Sequence, residues 1–246
     1  MNITVSIDRG ALRAGALCLA ACAVMLSLPA TGAGASLEGT WRIAAPQEAF
    51  KPASGEIPFS AQGRKRYQQN KRYQAKGTYE NYDMATSRCA SPGLPRLMLT
   101  PGRFRIWDRS GLVVFQFEWN RLFRQIDLGL TLPRNRISGD DAAVGRAVPI
   151  SMGRWEDNSL LVTTEGFSDN TLVDNLVPHG YELKLTERIR LKDADTLEDR
   201  ITIEDSEYFT RSWETVVTYR RQPDAAFAED VCLDRLWSDQ PTLSHK

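Results

Sequence analysis

The stretch Tyr181-Glu182-Leu183-Lys184-Leu185-Thr186-Glu187-Arg188-Ile189-Arg190-Leu191 reads as a β-strand with two unlike faces. Successive side chains of a strand point to opposite sides, so its odd positions form an apolar row and its even positions a charged one. A single carboxylate, Glu187, interrupts the apolar row. The next run, Thr196–Glu204, repeats the design with Leu197, Asp199, Ile201 and Ile203 on one face. Leu122–Leu128 does so again, with Arg124 set between Leu122, Ile126 and Leu128.

Working outward, further β-like runs are Leu37–Ala44, Arg96–Thr100, Arg103–Asp108, Leu112–Trp119, Pro149–Trp155, Ser159–Glu165 and Trp213–Arg220. The clusters Arg109-Ser110-Gly111, Glu156-Asp157-Asn158 and Lys192-Asp193-Ala194-Asp195 between them carry hairpin-turn chemistry. Hairpins in succession, without crossover helices, imply an antiparallel meander, and a long meander removes its edges by closing. The expected fold class is therefore all-β: an antiparallel up-and-down barrel of about 8–10 strands with one N-terminal surface helix. That helix runs from a Ser60 cap to about Lys76, with Gly77 as its stop. It carries Arg64, Lys65, Arg66, Lys71, Arg72 and Lys76 among Tyr67 and Tyr73, so it would lie against the barrel or on an anionic surface. Two irregular stretches, Thr131–Ala147 and Gly166–Gly180, are expected at the barrel mouth, where they would gate it.

An isolated ion facing a dry interior is costly, so Arg124, Glu187 and Asp199 should pair with one another or line a wet cavity. The alternative is a strand phase that slips at a bulge and turns them to solvent. Val113, Phe115, Phe117 and Trp119, with Val217 and Tyr219, would wall a pocket or fill a solid core. A ligand would thus meet Arg124, Glu187, Asp199, Phe115, Phe117, Trp119 and Tyr181. His179, one of the two histidines of the chain, lies at the end of the second irregular stretch, beside Asp174, Tyr181 and Glu182. Imidazole titrates near neutrality, so His179 with Asp174 or Glu187 in support could do acid–base work; the plain alternative is a structural loop histidine. No Gly-x-Ser-x-Gly elbow and no Gly-x-Gly-x-x-Gly or phosphate loop occurs. His179-x-x-Glu182 offers only two metal ligands, and no metal or cofactor is expected.

At the other end of the chain, charged residues Asp8, Arg9 and Arg13 precede an apolar run of 15 residues, Ala14–Leu28, and then Pro29 and small residues to Ala35. That order is a secretory signal peptide, and the run falls short of the roughly 20 residues a membrane-spanning helix needs. Residues 1–35 are read as the leader, 36–246 as one barrel domain, and the location as periplasmic or secreted. A rival is a lipoprotein signal, Leu19-Ala20-Ala21-Cys22, with lipid on Cys22. Of 31 basic and 31 acidic residues the leader removes two and one, leaving a net charge of −1, which gives nucleic acid no footing. Cys89 and Cys232 remain after cleavage at Ala35; in an oxidising compartment they read as one disulfide, with two unpaired thiols as the alternative.

Gly39-Thr40-Trp41 resembles the Gly-x-Trp of lipocalin-type (calycin) barrels, in which the Trp closes one end and stacks on an Arg from the last strand. Arg220 and Arg221 stand where that Arg is expected. Most of the chain, from about Leu37 to Cys232, is also similar to a family of exported bacterial proteins of unknown function. That similarity rests on Cys89-x-x-Pro92-Gly93-x-Pro95-Arg96-x-Met98, Gly153-Arg154-Trp155-Glu156-x-x-x-Leu160-x-Val162-x-Thr164, Gly166-Phe167-x-Asp169, and Thr186-Glu187-Arg188 through Ile203-x-Asp205. Where that family has a Pro-His-Ser-Glu-like run, this chain has Pro178-His179-Gly180-Tyr181-Glu182, without the Ser hydroxyl.

Three functions follow as expectations. The first is an exported barrel binding a mostly apolar small molecule with one polar end. The second is a cofactor-independent lyase, isomerase or hydratase built on His179, with Arg124 facing a developing oxyanion. The third is an envelope interaction protein with a solid core and the basic helix as its contact surface.

Overall fold

Alternation decides the longest strands as expected. In Lys184–Asp193, Leu185, Glu187 and Ile189 are buried while Thr186, Arg188 and Arg190 are exposed. The computed structural model describes residues 36–129, 149–228 and 230. Nine strands close into a barrel in sequence order: β1 Gly39–Ile43, β2 Arg103–Arg109, β3 Leu112–Phe117, β4 Phe123–Asp127, β5 Ile150–Glu156, β6 Ser159–Glu165, β7 Lys184–Asp193, β8 Thr196–Glu204 and β9 Trp213–Arg221.

The purely antiparallel expectation is corrected at one place. β4 and β5 pair in parallel, Ile126 with Ser151 and Asp127 with Met152, and the other neighbours are antiparallel. Strand direction must return to itself around a closed ring, so the number of antiparallel neighbours is even. Nine strands therefore require a parallel pair, and it falls at the long connection, since a parallel step cannot be made by a tight turn. The stretch Thr131–Ala147 lies outside the described residues.

Two further corrections concern single segments. Arg96–Leu99 is a 3-10 turn rather than a strand, following Pro95, and all of its residues are buried. Leu97-Met98-Leu99 is an apolar run covered on every side, so it has no solvent face to impose a period of two. Met98 reaches into the barrel, where its carbonyl accepts from Tyr219 Oη at 3.0 Å and its sulfur lies 3.8 Å from Arg124 Nη1. Tyr181, expected inward, is exposed and precedes β7, which begins only at Lys184.

The helix α1, Ala61–Ala75, lies where its pattern puts it, with Ser60 Oγ accepting from Gly63 N at 3.0 Å. It buries only Gly63 and Asn70, which explains the thin apolar face. Gly63 sits against the backbone at Tyr208, and Asn70 Nδ2 donates to Leu176 O at 2.9 Å. Phe59 adds ring contacts with Tyr67 and Phe209. A short helix α2, Met84–Arg88, follows, capped by Asp83.

At β1 the expected lipocalin-like closure is present. Arg221 stacks over Trp41 at 4.2 Å from the ring centroid and donates to Glu38 O and Ala194 O, each at 2.7 Å. Gly39, at φ 137°, allows this approach, because a Cβ there would stand 2.3 Å from Arg221 Nη1.

Candidate functional site

Inside the barrel, the sequence-predicted charges meet. Arg124, Glu187 and Asp199 are almost wholly inaccessible to solvent. Arg124 Nη1 donates to Glu187 Oε1 at 2.9 Å, and Nη2 closes the second bond to Oε2. The Glu187 carboxylate raises the guanidinium pKa against the cost of burial. Asp199 faces Glu187 without a hydrogen bond of normal geometry to either oxygen. Burial first, and the charge of Glu187 second, push its carboxyl well above the usual range despite nearby Arg124. Its surroundings thus favour the protonated form, which spares the core an uncompensated charge.

The aromatic residues expected to wall a cavity are spent on packing. Phe104 stacks on Phe115 at 5.6 Å, meets Phe117 at a tilt at 5.4 Å, and meets Tyr219 edge-on at 4.9 Å. Trp119 belongs to a separate small cluster with Ala85, outside the barrel core. Met98 lies against Arg124, and a gap of about 10 Å³, the space of about one water molecule, is lined by Arg124 with Leu94, Leu97, Leu122 and Phe123.

A larger opening lies outside the barrel, between α1 and the segment 169–179. This cleft measures about 710 Å³, within the roughly 300–1,000 Å³ typical of small-molecule sites. One wall carries Lys65, Arg66 and Gln69 of α1; the other carries Asp169, Asn170, Thr171 and His179; Asn81, Tyr82 and Tyr208 complete it. Two bases face two acids, Glu80 and Asp169, among amides and phenols.

The 169–179 wall is ordered by its own backbone chemistry. Leu172 bridges Pro178, and Val173 N donates to Val177 O at 2.9 Å. Asp174 makes the turn: it accepts from Leu176 N and Val177 N at 2.9 Å and from Phe50 N at 3.1 Å. Burial raises its pKa against those three bonds. Both its oxygens are thus committed to backbone, and it makes no bond to His179. Glu187 lies inside the barrel with Arg124, so neither carboxylate named for His179 at the sequence level touches the imidazole.

His179 is held differently. Its Nδ1 donates to Gly180 O at 2.9 Å, which leaves Nε2 unprotonated in the neutral ring, and Thr171 Oγ1 donates to Nε2 at 2.9 Å. Phe167 packs edge-on against the ring at 5.7 Å. Burial lowers the imidazole pKa, with Gly180 O and Asp205 opposing, so His179 is a neutral base at pH 7. Asp205 fixes this corner by accepting from Gly180 N at 2.7 Å.

No family model and no curated protein matches the chain.

Sequence reasoning missed Arg96. Its guanidinium donates to both oxygens of Asp83 at 2.7 and 2.8 Å and to Asn175 Oδ1 at 3.0 Å, tying α2 to the 169–179 wall. Burial opposes ionisation of Asp83, but Arg96 and Thr86 hold its pKa below the usual range. Arg96 lies between apolar residues with no acid near it in sequence, so only the motif Pro95-Arg96-x-Met98 marked it.

Proposed function

We propose that this protein is an exported binding barrel that holds a small molecule with a polar periphery in the cleft between α1 and segment 169–179. The observation that carries the reading is the cleft itself: its size suits a metabolite, and its walls offer amide, phenol, hydroxyl and charged groups of both signs. Balanced charges favour a neutral or zwitterionic ligand over a strongly ionic one. The barrel serves as the scaffold. Its interior ion pair and stacked aromatics leave the ligand to the outside cleft rather than to Phe115, Phe117 and Trp119.

Export is part of the proposal, with removal of residues 1–35 and a Cys89–Cys232 bridge. Supporting the bridge, Asn120 Nδ2 donates to Cys89 O at 3.3 Å. Asn120 N donates in turn to Asp230 O at 2.6 Å, so the chain two residues before Cys232 runs beside Cys89's neighbour. The relation to the family of exported bacterial proteins belongs to the same proposal, resting on the motifs quoted above.

The test is native mass spectrometry of the protein purified from its own periplasm, beside the Gln69→Trp variant, whose indole would fill the cleft. The expected result is a released organic molecule from the wild type and a bare mass from the variant. A molecule retained by folded Gln69→Trp, or none in the wild type, overturns the reading.

A further inference from the structure

The hydroxyl that holds His179 is presented to the same cleft. Thr171 Oγ1 has His179 Nε2 at 2.9 Å and Ser168 O at 3.4 Å, so the imidazole is the closer acceptor for its proton. The imidazole is oriented from behind by Gly180 O, the role a carboxylate plays in a triad. Thr171 and His179 both line the cleft, with Lys65 and Arg66 on the facing wall. Gly93 backs the threonine: a Cβ at Gly93 would stand 2.8 Å from Thr171 Cβ, Cγ2 and Oγ1, so the hydroxyl is set in a fixed slot. Thr171 lies outside every strand.

We propose that Thr171 is a nucleophile activated by His179, and that the cleft transfers acyl groups from small esters. Thr171 Oγ attacks the ester carbonyl carbon while its proton passes to His179 Nε2, giving a tetrahedral oxyanion. The bond from that carbon to the ester oxygen then breaks, and the proton on Nε2 goes to the departing alkoxide as an alcohol. Water attacks the acyl-threonine by the same route, with Nε2 taking its proton and returning it to Thr171 Oγ, and a carboxylic acid is released. Lys65 and Arg66 supply the positive charge on the side from which the ester enters. The neutral state of His179 leaves Nε2 ready to accept at pH 7. This inference rests on the reading of the cleft as the binding site, and adds a reaction to it.

The experiment treats the mature protein with p-nitrophenyl acetate and maps any acetyl group by peptide mass spectrometry, for wild type, Thr171→Val, Thr171→Ser and Gln69→Trp. Circular dichroism confirms that each variant is folded. The expected result is acetyl on Thr171 in the wild type, on the serine of Thr171→Ser, and none at this position in Thr171→Val. Release of p-nitrophenolate should fall at least tenfold in Thr171→Val. It should decline with acidity only below the ordinary histidine range. Acetyl confined to lysines, or release unchanged in Thr171→Val, overturns the nucleophile. If a native molecule still leaves the wild type but not Gln69→Trp, the binding reading survives that failure; if neither binding nor acylation occurs, both fall.

Discussion

Arg124 grips both oxygens of Glu187 inside the barrel, across 63 residues of sequence, and together they form a two-bond ion pair shielded from water. Asp199, the third charge of the predicted inward set, lies beside that pair with neither oxygen in a hydrogen bond of normal geometry, and burial favours its protonated form. These charges meet one another inside the barrel, and among the described residues a polar cleft of about 710 Å³ lies outside it.

Breaking the pair on one side should be severe. Arg124→Leu strands the Glu187 carboxylate in the core at a cost of about 3–5 kcal/mol. Arg124→Leu with Glu187→Leu should recover most of that loss, since the two-sided replacement buries no charge. Urea unfolding of both variants checks this; equal destabilisation by the single and double replacements would contradict it.

Asp199 gives a pH dependence of known sign. Its folded pKa is raised, so its contribution is fully present below the unfolded value, about 3.9, and is lost as pH rises through the folded value. Asp199→Asn keeps the shape and the donor of the protonated acid. It should raise Tm at pH 7 and above, by about 2–4 °C for each kcal/mol recovered, and leave Tm nearly unchanged at pH 4. A loss of Tm at neutral pH would mean that the ionised carboxylate is needed.

Gly93 should be intolerant for two reasons. Its φ of 70° lies in the left-handed region, and a methyl there meets Thr171 at 2.8 Å. Gly93→Ala is expected to cost about 1–3 kcal/mol and to shift the His179 imidazole signals in the NMR spectrum, because Thr171 cannot yield without losing Nε2. Unchanged imidazole shifts would show that the slot is loose.

The extent to which these features could be read in advance follows from their periodicity. Arg124, Glu187 and Asp199 interrupt rows of period two, so a sequence places them inward before any partner is known. The β1 closure was legible from Gly39-Thr40-Trp41, and α1 from its Ser60 cap. Arg96–Leu99 resembles a strand in sequence because a fully buried apolar run carries no periodicity to separate a turn from a strand. The parallel β4–β5 pair depends on the end of the barrel to which a long connection returns, and local sequence holds no record of that. Thr171 and His179 meet across eight residues of an irregular segment, where the turn made by Asp174 decides the approach.

Export has a direct chemical readout. Mature protein recovered from the periplasm should begin at Ser36 and weigh two hydrogens less than its reduced form, as cleavage after Ala35 and a Cys89–Cys232 bridge require. An N-terminal lipidated Cys22, with partition into detergent, would replace the soluble form by an anchored one.

The central claim, that the ligand sits outside the barrel, is tested most directly by a crystal structure of the protein bound to the molecule it releases. The account predicts density between α1 and segment 169–179, against Asn170, His179 and Tyr208. Density inside the barrel beside Arg124 and Asp199, with Met98 displaced, would contradict it.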